Sequence, residues 1–324
     1  MKRYLKTILK FCVTAALFVY IILSNDFLQV WEFFIQISLS TWVIVLFLLV
    51  FGVIIATVRL SLFFKNLSFY TLMHIRLLSV AYGFILPGQA AEEGVKAYLL
   101  GKEGKDYGQS GAAVMLDKLV GVIAVLLLGL VGVLCTRALG LGILVVFIVA
   151  CILLIALALS INISVLYTKA SKLILWLSKK MKKLRKLFAF VLGVLDNWRT
   201  FAKNKRLLVF NIVYGLLYQL SILLTGALLT HDLGAGFILM DWLWIHAVIT
   251  IVLILPLSLG GLGVREVSMI GLLGLVGVAP EQALAVSFGF LALMLLQAIV
   301  GIGMEVGMTL RRTKTYDNRD SEGE

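Results

Sequence analysis

Apolar residues gather in long runs covering about 8–24, 41–61, 111–135, 140–161, 207–229 and 281–309. Each run reaches the roughly 17 residues that a helix rising about 1.5 Å per residue needs to cross a hydrocarbon core of about 30 Å. Lipid satisfies no backbone N–H or C=O group, so every run is expected to be a helix. Two further apolar stretches, about 71–86 and 238–255, stop at Leu86-Pro87 and Leu255-Pro256 and run into glycines and charges instead of an aqueous loop. Proline lacks the amide hydrogen of a continuing helix, so both stretches read as broken. The predicted fold class is all-α: a polytopic membrane protein with six spanning helices and two opposed broken or re-entrant hairpins in an inverted repeat.

Charge decides how these elements are threaded. Residues 162–206 carry Lys169, Lys172, Lys179, Lys180, Lys182, Lys183, Arg185, Lys186, Arg199, Lys203, Lys205 and Arg206 against the single acid Asp196. Basic loops stay in the cytoplasm, which requires residues 71–110 to enter the membrane and return to the same face. The N-terminus, residues 62–70, the basic segment and the tail after residue 310 are then cytoplasmic. The loops 25–40 and 230–237, free of Lys and Arg, lie outside. The same rule makes 238–279 a second hairpin entered from outside, because the chain must finish on the side of Arg311 and Arg312.

The two hairpins are related in sequence. Leu86-Pro87, six residues, then Gly94-Val95-Lys96 matches Leu255-Pro256, six residues, then Gly263-Val264-Arg265, at an offset of 169. That offset also carries 41–61 onto 207–229. The chain therefore divides into a membrane domain of residues 1–310, with inverted halves of about 1–137 and 138–310, and a polar cytoplasmic tail of 311–324. The basic insertion 162–206 interrupts the repeat. Its Leu173, Trp176, Leu177, Leu184, Leu187, Phe188 and Val191 recur at helical spacing among the lysines, the pattern of an amphipathic helix on an anionic inner leaflet through residues 169–206. A solvated basic loop that only fixes topology fits the same residues.

Composition agrees with a membrane protein. Apolar residues make up 61% of the 324 positions, against roughly 45–50% in soluble domains. The formal charge of +12 sits in short loops beside apolar segments, so no nucleic acid partner is expected. Residues 1–10 and the apolar run after them look like a signal peptide, but no small-residue cleavage site follows Leu23, which makes this an uncleaved first helix. Cys12, Cys135 and Cys151 form no CxxC pair and have no clustered His, so neither a disulfide nor a metal or other cofactor is expected.

The chemistry to look for lies in the breaks. The first offers Pro87, Gly88, Glu92, Glu93 and Lys96. Carboxylates and a lysine at membrane depth must be paired or wet, and their three- and four-residue spacings set both acids on the face of Lys96 in a restarting helix. Solvated charges in a cytoplasmic loop are the other reading. The second offers Pro256, Gly260, Gly261, Gly263, Arg265 and Glu266. A helix restarting after the glycines aims free N–H groups into the break, which with Arg265 suits an anion such as a lipid phosphate. Glu266 is then on a different face, as a proton carrier or as the partner of Arg265. Asp117 and Lys118 lie some 10 Å inside their helix, with Lys118 able to snorkel to the surface. Asp241, His246 and Glu305 are weaker candidates near membrane edges, and topology alone accounts for His74 and Arg76. No P-loop, strand-preceded Rossmann glycines, zinc spacing or Ser-His-Asp set occurs, so no catalytic residue is assigned.

The second break and the stretch after it, from Leu255 through Gly260-Gly261-Leu262-Gly263-Val264-Arg265-Glu266 to Gly277-Val278-Ala279-Pro280-Glu281, resemble the lysylphosphatidylglycerol synthase transmembrane region family, also called flippase-like domain proteins. Pro87, Gly88, Glu92 and Lys96 resemble the family's proline-glycine, glutamate and basic-residue motif. Asp117-Lys118-Leu119 stands where the family usually has Glu-Arg-Leu, and Lys96 and Ala91 replace a more usual Arg and Gly. The resemblance spans about residues 5–310. Two-domain relatives translocate lysylphosphatidylglycerol made by a soluble transferase domain. The present chain stops at Glu324 without such a domain, so the resemblance implies a flippase or transporter of a phosphate-bearing lipid (aminoacyl-phospholipid, isoprenoid or glycolipid) in the cytoplasmic membrane, not an enzyme. Arg265 and Lys96 are expected to hold phosphate, and Glu92, Glu93, Asp117 and Glu266 to balance charge or carry protons. The alternatives are a membrane subunit presenting lipid to a transferase or glycosyltransferase partner, and a scaffold recruited to anionic membrane by residues 169–206.

Overall fold

The computed structural model describes residues 14–17, 19–85, 89–104, 106–136, 145, 147–150, 152–153, 156, 164–181, 184–235, 238–254, 258 and 260–321. Over these residues the protein is helical, with no strand. Most of the expected span 140–161, the start of the span at 8–24, and Pro87, Gly88 and Pro256 lie outside the described residues.

The first span, α1 (Thr14–Ser24), bends by 86° into α2 (Phe27–Gln36). Asp26 causes the restart: its carboxylate accepts hydrogen bonds from the amides of Leu28, at 2.9 Å, and Gln29, at 3.3 Å, and so caps the new helix. Much of the expected outer loop 25–40 is therefore a helix, and α2 lays its apolar residues against the last helix of the chain. Ser38 then caps α3 (Leu39–Ser61). The first broken hairpin is α4 (Phe69–Ile85) and α5 (Gln89–Gly104), followed by the long α6 (Tyr107–Thr136). After α7 (Ser164–Lys180) and α8 (Arg185–Lys203), the pattern returns as α9 (Lys205–Thr230), α10 (Leu239–Ile254), α11 (Val264–Gly274) and α12 (Pro280–Ser321).

Among the described residues four helices are long and apolar enough to cross a membrane: Leu39–Ser61, Tyr107–Thr136, Lys205–Ala235 and Pro280–Leu310. They fall on four of the six expected spans. The hairpin arms are shorter because each ends at its break, α4 at Ile85 and α10 at Ile254. The two restarts differ. Helix α5 resumes at Gln89, since Gln, Ala and Glu are good helix formers. Helix α11 waits until Val264, because Gly260, Gly261 and Gly263 take φ values of 58°, 81° and 81°, a left-handed backbone that glycine alone adopts at no steric cost.

Packing follows the sequence repeat with an exchange. Helix α4 packs on α12, and its counterpart α10 packs on α6, so the first arm of each hairpin lies against the final helix of the other half. Helices α3 and α9, which also correspond, pack on each other. The two exchanged crossings are built the same way. A β-carbon on Gly301 of α12 would come within 2.5 Å of the carbonyl carbon of Leu77. One on Gly132 of α6, at the equivalent position, would come within 2.8 Å of Met240 O and 2.9 Å of Trp244 N. Small residues let the backbones approach this closely.

The basic insertion forms the helix pair α7 and α8. Val194 and Trp198 are buried where α8 packs on α6. Tyr167 of α7 donates to the carboxylate of Asp196, a bond that raises the phenol above its ordinary value, and Arg199 lies over the Tyr167 ring.

Because Leu77 backbone blocks Gly301, Gly301→Ala is expected to cost about 1–3 kcal/mol by overpacking. Gly307→Ala, six residues further along α12 in open space, is expected to be neutral or stabilising by up to about 1 kcal/mol through helix propensity. Thermal unfolding in detergent compares them, and equal midpoints would rule out the close crossing.

Candidate functional site

The glycine turn of the second break meets the last turn of α4. A β-carbon on Gly260 would stand 3.2 Å from the carbonyl oxygen of Gly83 in the last turn of α4 and 3.8 Å from Phe84 Cα. On the near side of that contact Gly83 faces the Glu92 side chain, and Leu17 of α1 closes over Gly263. Charged clusters flank the contact on both hairpins.

In the first hairpin the helical spacing of α5 brings its charges together. Lys96, buried, sits 2.7 Å from the Glu93 carboxylate and 3.9 Å from Glu92. The other oxygen of Glu93 reaches Lys118 of α6 at 3.5 Å. Lys118 is 42% exposed, so its ammonium reaches out of the cluster while Glu93 anchors it. Arg76 of α4 lies within electrostatic reach of Glu93 and Lys96, and its guanidinium stacks over Tyr218 of α9 at 5.1 Å.

In the second hairpin the expected anion site is already filled by the chain. The Glu266 carboxylate turns back to accept the Gly263 amide at 2.6 Å, the Arg265 guanidinium at 2.9 and 3.2 Å, and the Ser287 hydroxyl at 3.1 Å. The remaining Arg265 nitrogen faces the Met294 sulfur at 2.9 Å. Of the two roles the sequence offered Glu266, proton carrier or partner of Arg265, the carboxylate takes the pairing, and it also occupies the helix N-terminus that was expected to be open to a ligand. An acid three residues into a helix can fold back onto the N-cap amide, and a buried guanidinium draws it there. Both residues are buried, at 6% and 1% exposed. Gly260, Gly261 and Gly263 serve as turn formers around this pair.

Asp117 enters a third cluster that the sequence did not reveal. Its Oδ1 lies 2.5 Å from Nε of Arg59 in α3, whose guanidinium also donates to the Asp117 carbonyl. Asn211 Nδ2 of α9 stands 3.5 Å from the same Oδ1. Gly121 and Gly215 leave space for the guanidinium: a β-carbon at either would be 3.3 or 3.4 Å from it. The polar seam continues deeper, with Gln219 Nε2 donating to the Gly121 carbonyl at 3.2 Å and His246 Nε2 at 3.0 Å from Gln219 Oε1. Arg59, Asn211 and Gln219 were missed because each is an isolated polar position within an apolar run. Only the facing glycines hint at them. His74, read from sequence as a topology signal, pairs instead with Glu305 across the α4 and α12 crossing at 2.8 Å.

A groove of about 340 Å³ lined by Tyr70, Val300, Gly303, Met304, Gly307 and Met308 lies elsewhere, along the outer face of α12. Among the described residues no group of His, Cys, Asp and Glu has metal-ligand geometry.

The protein family described as the lysylphosphatidylglycerol synthase TM region matches residues 7–301. The chain belongs to this family. No curated protein and no solved structure matches it at a significant level. Family membership covers both broken hairpins and all three clusters, and gives this lysylphosphatidylglycerol synthase transmembrane-region protein a lipid-related role in a membrane.

The buried Arg59 makes a sharp prediction for stability. Asp117→Leu leaves that guanidinium uncompensated and is expected to cost about 3 kcal/mol, the lower end for a broken buried pair because Asp117 is partly exposed. The double change Arg59→Leu with Asp117→Leu is expected to recover most of the loss. Unfolding midpoints in detergent measure both, and a single variant as stable as the double would contradict the pairing.

Proposed function

We propose that this chain is a lipid flippase of the cytoplasmic membrane, moving a lipid with a phosphate in its headgroup through the polar interior where the two broken hairpins meet. The observation that carries this reading is the contact between Gly260 and Gly83, with an acid and base cluster on either side of it. Broken helices that meet within a membrane, with polar backbone and charges turned inward, are the common construction of transporter sites. The halves 1–137 and 138–310 act as the two inverted units, and the exchanged packing of α4 on α12 and α10 on α6 supports that division. Both termini and the α7 and α8 pair lie on the cytoplasmic side.

Helix α7 leaves Leu173 and Trp176 exposed among Lys169, Lys172 and Lys180. This mixed surface suits an anionic leaflet, with lysines snorkelling and Trp at the headgroup level. The same surface supports a second reading, in which the domain presents lipid to a transferase docked on α7 and α8. The flippase needs no such partner.

Reconstitution separates the two. In vesicles carrying a fluorescent phosphatidylglycerol, wild-type protein is expected to let an external reductant bleach label from both leaflets, and Glu93→Gln to slow that exchange about tenfold, equivalent to ~1.4 kcal/mol of barrier. Wild-type vesicles that bleach like protein-free ones would exclude transport by the isolated chain and favour the partner-dependent reading.

A further inference from the structure

Charge within the clusters is balanced unevenly. In the second hairpin Arg265 and Glu266 cancel, with every polar atom of the Glu266 carboxylate engaged. Arg59 and Asp117 cancel in the third cluster. In the first hairpin three cations, Arg76, Lys96 and Lys118, share two carboxylates, Glu92 and Glu93. Lys96 takes both acids, leaving Glu93 shared with Lys118 at a longer 3.5 Å. Arg76 forms no ion pair among the described residues, its Nε is buried without a hydrogen-bond partner, and only the Tyr218 ring supports its guanidinium. Three like charges gathered inside a membrane protein against two acids are costly unless an anion joins them.

We infer that Arg76 and Lys118 form the anion-binding pair of the lipid site and that the anion they take is a phosphodiester. The inference rests on the flippase reading and moves its phosphate contacts away from Arg265 and Lys96, whose charges the chain already neutralises. One surplus positive charge matches the single negative charge of a phosphodiester. The guanidinium supplies a planar fork for two phosphate oxygens, while the long, partly exposed Lys118 side chain supplies a mobile point charge. Tyr218 holds the guanidinium plane in place by stacking, and Glu93 tethers Lys118 within reach. Helix α4 carries His74 toward α12 and Arg76, two residues on, toward α9. The opposite directions leave Arg76 as the α4 cation on the side of the hairpin cluster.

The test titrates purified full-length protein in a neutral detergent with dihexanoyl phosphatidylmethanol, a short-chain phosphodiester, with neutral dihexanoylglycerol and with inorganic phosphate, read by calorimetry. Wild type is expected to bind the phosphodiester at least about tenfold more tightly than either comparison molecule. Arg76→Gln and Lys118→Gln are each expected to weaken it roughly tenfold or more, the scale of a lost charge-assisted hydrogen bond. Arg76→Lys is expected to regain part of the binding, and Lys102→Gln, which removes the same charge from the exposed end of α5, to leave it unchanged. Because Lys118 is partly exposed, its variant folds even if loss of the Arg76 stack disturbs packing. Wild-type binding retained in both Gln variants would overturn the Arg76 and Lys118 assignment while leaving the flippase reading intact. Equal binding of the phosphodiester and the neutral lipid would overturn both. Inorganic phosphate binding as tightly as the lipid would overturn the lipid assignment.

Discussion

Every charge placed inside a membrane must be compensated where it stands, since lipid cannot solvate it and water reaches it only through a cavity. Apart from Arg76, the clustered charges meet this constraint through pairs. Arg59 of α3 meets Asp117 of α6, Glu93 of α5 meets Lys118 of α6, and His74 of α4 meets Glu305 of α12, while Arg265 and Glu266 pair within α11. Where a pair is buried, as at Arg59 and Asp117, removing one partner strands the other, so it fixes which helices lie side by side more firmly than apolar contact does, because one leucine replaces another at little cost. Helix packing and site chemistry are thus set by the same residues.

The breaks obey a second form of the same constraint. Where a helix stops within a membrane its end groups need partners. At α11 the Glu266 side chain takes the Gly263 amide, and three glycines with positive φ fold the preceding turn tightly enough for Gly260 to touch Gly83. The close crossings at Gly132 and Gly301 bring the first arm of each hairpin onto the last helix of the other half. The cluster of Arg59, Asp117 and Asn211, with Gln219 reaching the Gly121 carbonyl, ties α3 and α6 to α9.

The sequence carried the helices and the location of the breaks. Long apolar runs announce spans because length and composition alone decide them, and Pro87 and Pro256, one repeat apart, mark where α4 and α10 end. Lys96 with Glu92 and Glu93 was legible too, because local helical spacing fixes which side chains share a face. Contacts between distant segments were not. Nothing in an apolar run names Arg59 as the partner of Asp117, and nothing but the fold turns Glu266 back onto its own N-cap. Helix α2 was hidden because a loop without Lys or Arg reads as exterior, and the Asp26 carboxylate that caps the amides after it was not singled out. Arg76 was hidden for a related reason: a basic residue near a cytoplasmic edge already has an explanation in topology.

The most direct measurement is lipid identification by native mass spectrometry on gently purified wild-type protein beside a Lys118→Glu variant, which reverses charge at a partly exposed position. A phosphate-bearing lipid retained by the wild type at about one per chain, and absent from the variant, is the expected result. The same bulk lipid mixture on both proteins would contradict a phosphate-binding interior at the meeting point of the two hairpins.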